Sequence, residues 1–126
     1  MADHNQEVIR TIRSLLDDDF EVIKVVENGA EALSAVLALD PDVFVTDIAM
    51  PHLNGFEAAR SITRTQCRAK IIFLSIHEDA EFIAAALGAG AMGYVTKPRL
   101  STDLVIAIRS ALKGRVFVSH PESVRI

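Results

Sequence analysis

Apolar residues recur at helical spacing, crowd into short unbroken runs, and return to helical spacing, and the exchange repeats along the chain. From Asn5 to Leu16, Val8, Ile9, Ile12, Leu15 and Leu16 form one stripe with Arg10 and Arg13 outside it. That spacing predicts an amphipathic helix with Asn5 as its N-cap. Phe20 to Val26 is short and β-branched, and Asn28-Gly29 breaks it, so a strand is predicted there. Ala30 to Leu39 reads as a second helix that buries Ala32, Leu33, Val36 and Leu37 and stops at Pro41.

The next runs lack alternation. Asp42 to Asp47 is apolar until its closing carboxylate, and Lys70 to Ser75 is apolar until its closing hydroxyl. A strand of that kind is buried on both faces, which predicts a parallel sheet. Met50 to Gly55 is a turn, and Phe56 to Thr65 a third helix. Asp79 can cap a fourth helix over Ala80 to Leu87, which Gly88-Ala89-Gly90 stops. Ala91 to Thr96 is a short strand closed by Lys97-Pro98. Ser101 can cap the last helix, Thr102 to Lys113, which Gly114 ends. Residues 115 to 126 read as a tail or the start of a linker. Strand and helix alternate, which predicts a doubly wound α/β fold around a parallel sheet, with one domain over residues 1 to 114.

Composition narrows the function. The 126 residues are 50% hydrophobic and 24% charged, enough for one domain with a real core. Thirteen basic and 17 acidic side chains give a net charge of −4, against a nucleic-acid-binding face within these residues. One cysteine, Cys67, excludes an internal disulfide and a cysteine-rich zinc site. No apolar run approaches the ~18–20 residues that span a bilayer, and the start has no basic or apolar leader region. A cytoplasmic location is the expectation.

Three predicted strands end in a residue that can do chemistry: Asp47, Ser75 and Lys97. Ligands of open parallel sheets bind beyond the carboxyl ends of the strands, so the three are expected to converge. Taken singly, each has an ordinary reading as a turn former, a cap or a solvated lysine. Together, an anion, a hydroxyl and an ammonium suit a phosphoryl group carried on the carboxylate, with a divalent cation to offset charge. Mg²⁺ takes oxygen ligands, and Asp3 is the candidate second carboxylate. His52 and His77 flank the site without metal-ligand spacing, and Arg60, Arg64, Arg68 and Lys70 read as a solvated basic run.

The segments Pro41 to Gly55, Gly88 to Pro98 and the stretch around Glu27-Asn28-Gly29 strongly resemble receiver domains of two-component response regulators. Phe20 to Ile23 and the ending Gly114 to Ser119 are most similar to the NarL/FixJ (LuxR-type) subfamily. The resemblance spans about residues 2 to 113 and implies the flavodoxin-like (CheY-like) three-layer receiver fold. It implies Asp47 as the phosphoacceptor, Ser75 as the switch hydroxyl, Lys97 as the phosphoryl-pairing amine and Tyr94 as the switch aromatic. It implies Mg²⁺ held by Asp3, Asp47 and the backbone carbonyl of Ala49, with Pro51 and Gly55 shaping the loop and a cis Lys97–Pro98 bond. It also implies a sensor histidine kinase as donor, a homodimer through helix faces, and DNA contact only through an output domain outside these residues, with no membrane role.

Two departures stand out. The family's first, central strand has no counterpart before Met1-Ala2-Asp3-His4, and Ala2 occupies the place of the first acid. Three explanations compete: upstream residues belong to the natural chain, the flanking strands pair directly, or residues 115 to 119 of another molecule fill the gap. Second, twelve residues after Gly114 hold no helix-turn-helix. Two other functions stand as alternatives. One is a phosphorylation-independent interaction module with the same fold. The other is an aspartate-nucleophile hydrolase, which wants an acid two residues after the nucleophile, where Ala49 stands.

Overall fold

A strand that is apolar on both sides needs helices on both faces of its sheet, and the chain is built that way. The computed structural model describes residues 6–16, 20, 29–47, 55–65 and 68–119. The elements run α1 (Gln6–Leu16), α2 (Gly29–Leu39), β1 (Val43–Asp47), α3 (Gly55–Arg64), β2 (Lys70–Ser75), α4 (Ala80–Gly88) and β3 (Gly93–Thr96). A 3-10 turn (Lys97–Arg99), α5 (Leu100–Leu112) and β4 (Phe117–Val118) complete the order. The sheet order is β1-β2-β3-β4, every neighbour parallel.

Side chains of a strand alternate between faces, and a parallel register carries that alternation from strand to strand. Val45, Ile72, Leu74 and Val95 turn toward α1 and α5, where they pack with Ile12, Leu104, Ala107 and Ile108. Phe44, Ile71, Phe73 and Tyr94 turn the other way, against Val36 of α2, Ala59 and Ile62 of α3, and Ala86 of α4. The two layers of helices are thus sorted by strand parity, and the fold is a doubly wound three-layer α/β fold.

Several local expectations change. Asp79 stands at the N-cap of α4 with an extended backbone, but its side chain makes no capping bond. Ser101 lies inside α5, because the chain runs from the 3-10 turn directly into the helix at Leu100. The Lys97–Pro98 bond is trans, as no cis bond occurs among the described residues. Pro98 opens the 3-10 turn, where its fixed φ already suits a helical start.

The stretch read as a tail contributes β4. Gly114 adopts a φ of 76°, open to glycine at little cost, and its N–H donates to Ala111 O at 2.9 Å. The chain then turns back along the sheet, where Phe117 N–H donates to Met92 O at 3.0 Å and Ser119 N–H to Tyr94 O at 2.8 Å. Phe117 packs with the α1/α5 layer and Val118 with the other. This segment pairs with its own β3, not with a gap in another molecule. The strand predicted over Phe20 to Val26 lies outside the described residues except for Phe20, which packs against the α1/α5 layer. Asn5 and the chain start are outside them too.

Candidate functional site

Asp47, Ser75 and Lys97 stand at the same end of three neighbouring strands because every crossover returns the chain to the same starting edge. Asp47 shares the parity of Val45, and Lys97 continues that of Val95, so both face the α1/α5 side. The Lys97 Nζ donates to Asp47 Oδ2 at 2.7 Å. Asp47 is buried, at 6% exposure, and the Lys97 side chain is 23% exposed. An ammonium and a carboxylate this close form a charge-assisted hydrogen bond, about twice as strong as a neutral one.

Ser75 has the opposite parity. Asp47 is in register with Leu74, one residue before Ser75, and Ser75 with Thr96. Strand spacing of about 4.8 Å and a rise of about 3.3 Å per residue put the Asp47 and Ser75 Cα atoms about 6 Å apart. The buried Ser75 Oγ accepts a hydrogen bond from His77 N–H at 2.9 Å. Tyr94 is on that face, its ring fully buried, and its hydroxyl donates to His77 O at 2.7 Å. Burial raises the Tyr94 phenol pKa; the Ser75 hydroxyl opposes this and the negative charge of Asp79 adds to it.

The structure therefore brings Asp47 to Lys97 directly, and Ser75 to Tyr94 through the His77 backbone. Asp3, Ala49, His52 and Pro51 lie outside the described residues, and Gly55 begins α3. His77 is exposed and stacks on Phe82, ring centroids 4.0 Å apart. Arg68 engages Asp40 and Asp42 at 3.5 and 3.4 Å, and Arg60 and Arg64 are exposed on α3.

Two features escaped sequence reading. The His77 carbonyl is a backbone group, and no side chain signals it. Asp103 of α5 is buried and holds Arg99 Nε at 2.8 Å and Ser119 Oγ at 2.7 Å. The four-residue spacing of Arg99 and Asp103 was visible, but not the arrival of Ser119.

No group of three or more His, Cys, Asp or Glu poised for a metal occurs among the described residues. The donor present at the strand ends, the Asp47 carboxylate, is a hard oxygen ligand. That fits Mg²⁺, which binds through one or two carboxylates and keeps several waters. No helix among the described residues is long and apolar enough to cross a membrane.

The response regulator receiver domain family matches residues 1–109. The chain is 38% identical over 120 residues to the transcriptional regulatory protein YvfU of Bacillus subtilis, covering 93% of this chain and 60% of that protein. It is 33% identical over 112 residues to the chemotaxis protein CheY of Halobacterium salinarum, covering 89% of this chain and 93% of that protein. A LuxR-family two-component response regulator from Aurantimonas sp. SI85-9A1 is similar in structure, with a TM-score of 0.87 at 31% identity, over 96% of this chain and 87% of the other. The chain spans about half the length of the transcriptional regulators it matches. None of these comparisons indicates a catalytic enzyme family.

Proposed function

The chain belongs to the receiver domains of two-component response regulators, with LuxR-type relatives, and from that membership we propose that Asp47 accepts a phosphoryl group from a sensor histidine kinase. The observation that supports this reading is the 2.7 Å Lys97–Asp47 pair at the strand ends, with Ser75 closing the neighbouring strand.

In the proposed reaction an Asp47 carboxylate oxygen attacks the phosphorus of a kinase phosphohistidine. A P–O bond forms as the P–N bond breaks, and the leaving imidazole nitrogen keeps the electron pair and gains a proton. Mg²⁺, when bound, offsets the repulsion between two anions; Asp47, Asp3 and the Ala49 carbonyl are the residues to hold it. Lys97 then pairs with the phosphoryl oxygens in place of the carboxylate. Ser75 turns from His77 N–H to donate to the phosphoryl group, and Tyr94, bonded to the same His77, moves with it.

Contacts that differ between the two states are what shift the population. Here they are the bonds of Ser75, Tyr94 and Lys97, and the face of α4, β3 and α5 is where they are read. The output we propose is transcription control in the cytoplasm, through helix-face dimers and a LuxR-type DNA-binding domain outside these residues. The partial coverage of YvfU, named a transcriptional regulatory protein, supports that output. The test is incubation with acetyl phosphate and Mg²⁺. The parent chain is expected to gain one phosphoryl group and Asp47→Asn none; equal labelling of both removes Asp47 from the role.

A further inference from the structure

The strand that ends at Lys97 is held on both edges. On one side β3 pairs with β2, Ser75 against Thr96. On the other it pairs with β4, which is only two residues long. A strand that short is a weak element by itself, so its hold depends on the residue just beyond it, Ser119. Ser119 is 2% exposed, donates its N–H to Tyr94 O at 2.8 Å, and accepts from Thr96 N–H through its Oγ at 3.3 Å. Its hydroxyl donates to Asp103 Oδ2 at 2.7 Å, the same oxygen that takes Arg99 Nε at 2.8 Å.

Three of those partners, Tyr94, Thr96 and Arg99, lie within three residues of Lys97 in the sequence. Tyr94 and Thr96 are on the strand leading to it, and Arg99 is in the same 3-10 turn, Lys97–Arg99. Asp103 joins them from the first turn of α5. Thr96 adds a second observation: its buried Oγ1 has no hydrogen-bond partner among the described residues. A buried hydroxyl left without a partner costs about 1–3 kcal/mol, so this strand end is not at its best bonding arrangement in the state described.

We propose that residues 115–119 are a releasable strap, docked on β3 while Lys97 holds Asp47 and let go when Lys97 is drawn elsewhere. A shift of Lys97 moves the 3-10 turn. Arg99 moves with the turn and pulls on Asp103, and Ser119 loses its acceptor and its contact with Thr96. The strap then reports the state of the strand-end site to the chain beyond residue 119. The natural trigger rests on the phosphoacceptor reading above, because a phosphoryl group on Asp47 is what would draw Lys97 away. The coupling itself is a property of the unphosphorylated chain.

The test is amide hydrogen exchange of Phe117 and Ser119 in the full chain, with Val95, whose N–H faces β2 and not β4, as the internal reference. In the parent both amides are expected to exchange slowly. Ser119→Ala should speed both by about tenfold, the size of one intramolecular hydrogen bond, with the Val95 amide unchanged. Lys97→Met should speed them similarly although it touches neither residue. Unchanged exchange at 117 and 119 in either variant overturns the strap. Adding acetyl phosphate and Mg²⁺ should speed them in the parent in proportion to the phosphoryl group incorporated. Full incorporation with unchanged exchange also overturns it. If no phosphoryl group is incorporated, the phosphoacceptor reading fails, and the Lys97→Met arm still decides the coupling.

Discussion

Replacing Lys97 by Met isolates the physical core of the site. The methionine keeps the apolar stem and removes the ammonium, so the buried Asp47 carboxylate loses a partner 2.7 Å away. Removing one partner of a fully buried pair costs about 3–5 kcal/mol, because the other charge stays behind. This pair is less extreme: the Lys97 side chain keeps 23% of its surface in water and Asp47 keeps 9%. Water reaching the Asp47 carboxylate brings the expected loss to about 2 kcal/mol, the range of a hydrogen bond to a charged group. For a domain of this size that is a fall in Tm of about 8 °C, or about 1 M in the urea midpoint at an m-value near 2 kcal/mol/M. The assay is urea unfolding at neutral pH of four chains: parent, Lys97→Met, Asp47→Asn, and the double variant. Asp47→Asn added to Lys97→Met removes the stranded charge, so the double variant should recover most of the loss. A Lys97→Met chain within about 0.5 kcal/mol of the parent, or a double variant that loses the sum of the two singles, would refute the coupling of the pair.

The packing sets three further outcomes. Tyr94 is the sole tyrosine in a chain without tryptophan, so its phenolate absorbance and its fluorescence report on one position. Burial holds its pKa above the ordinary value of about 10. The folded protein therefore keeps a proton that the unfolded chain gives up, and stability should be complete below about pH 10 and decline as pH rises beyond it; ionisation at the same pH in native protein and in urea would contradict this. Gly90 has a φ of 104°, and a Cβ there would strike the Thr63 side chain, whose hydroxyl bonds Ala59 O and Ala89 O. Gly90→Ala should cost about 2–3 kcal/mol in urea unfolding, while Gly88→Ala, with open space at its Cβ, should be neutral or stabilising by up to about 1 kcal/mol. Ser75→Ala should still take a phosphoryl group, yet the accompanying change in Tyr94 fluorescence should shrink by about tenfold in population, the effect of one hydrogen bond; an undiminished change would take Ser75 out of the switch.

The doubly apolar runs at Val43–Asp47 and Lys70–Ser75 were legible because burial on both faces leaves no polar position to confuse the period. The same runs marked Asp47 and Ser75 as the closing residues of neighbouring strands, at the carboxyl end of the sheet. Strand parity is what a linear reading could not weigh. It puts Asp47 and Lys97 on one face and Ser75 with Tyr94 on the other, so the site rests as two pairs and not as one cluster. The place of β4, read as a tail or as a strand exchanged into another molecule, was hidden for a different reason. Two residues, Phe117 and Val118, carry no periodicity, and their placement depends on Gly114, Asp103 and Ser119 acting together in three dimensions. The caps failed where tertiary structure overrode local chemistry: Ser101 could cap a helix, but the turn at Lys97–Arg99 had already begun one.

Both Lys97 and Ser75 must hold the transferred phosphoryl group if the site works as proposed. A crystal structure of the chain with beryllium trifluoride and Mg²⁺, a stable stand-in for that group on a carboxylate, tests this directly. The expected result has Lys97 Nζ and Ser75 Oγ each about 3 Å from an atom of the group on Asp47, with Ser75 no longer accepting from His77. A structure in which Asp47 carries the group while Lys97 points to solvent and Ser75 keeps its bond to His77 would contradict it.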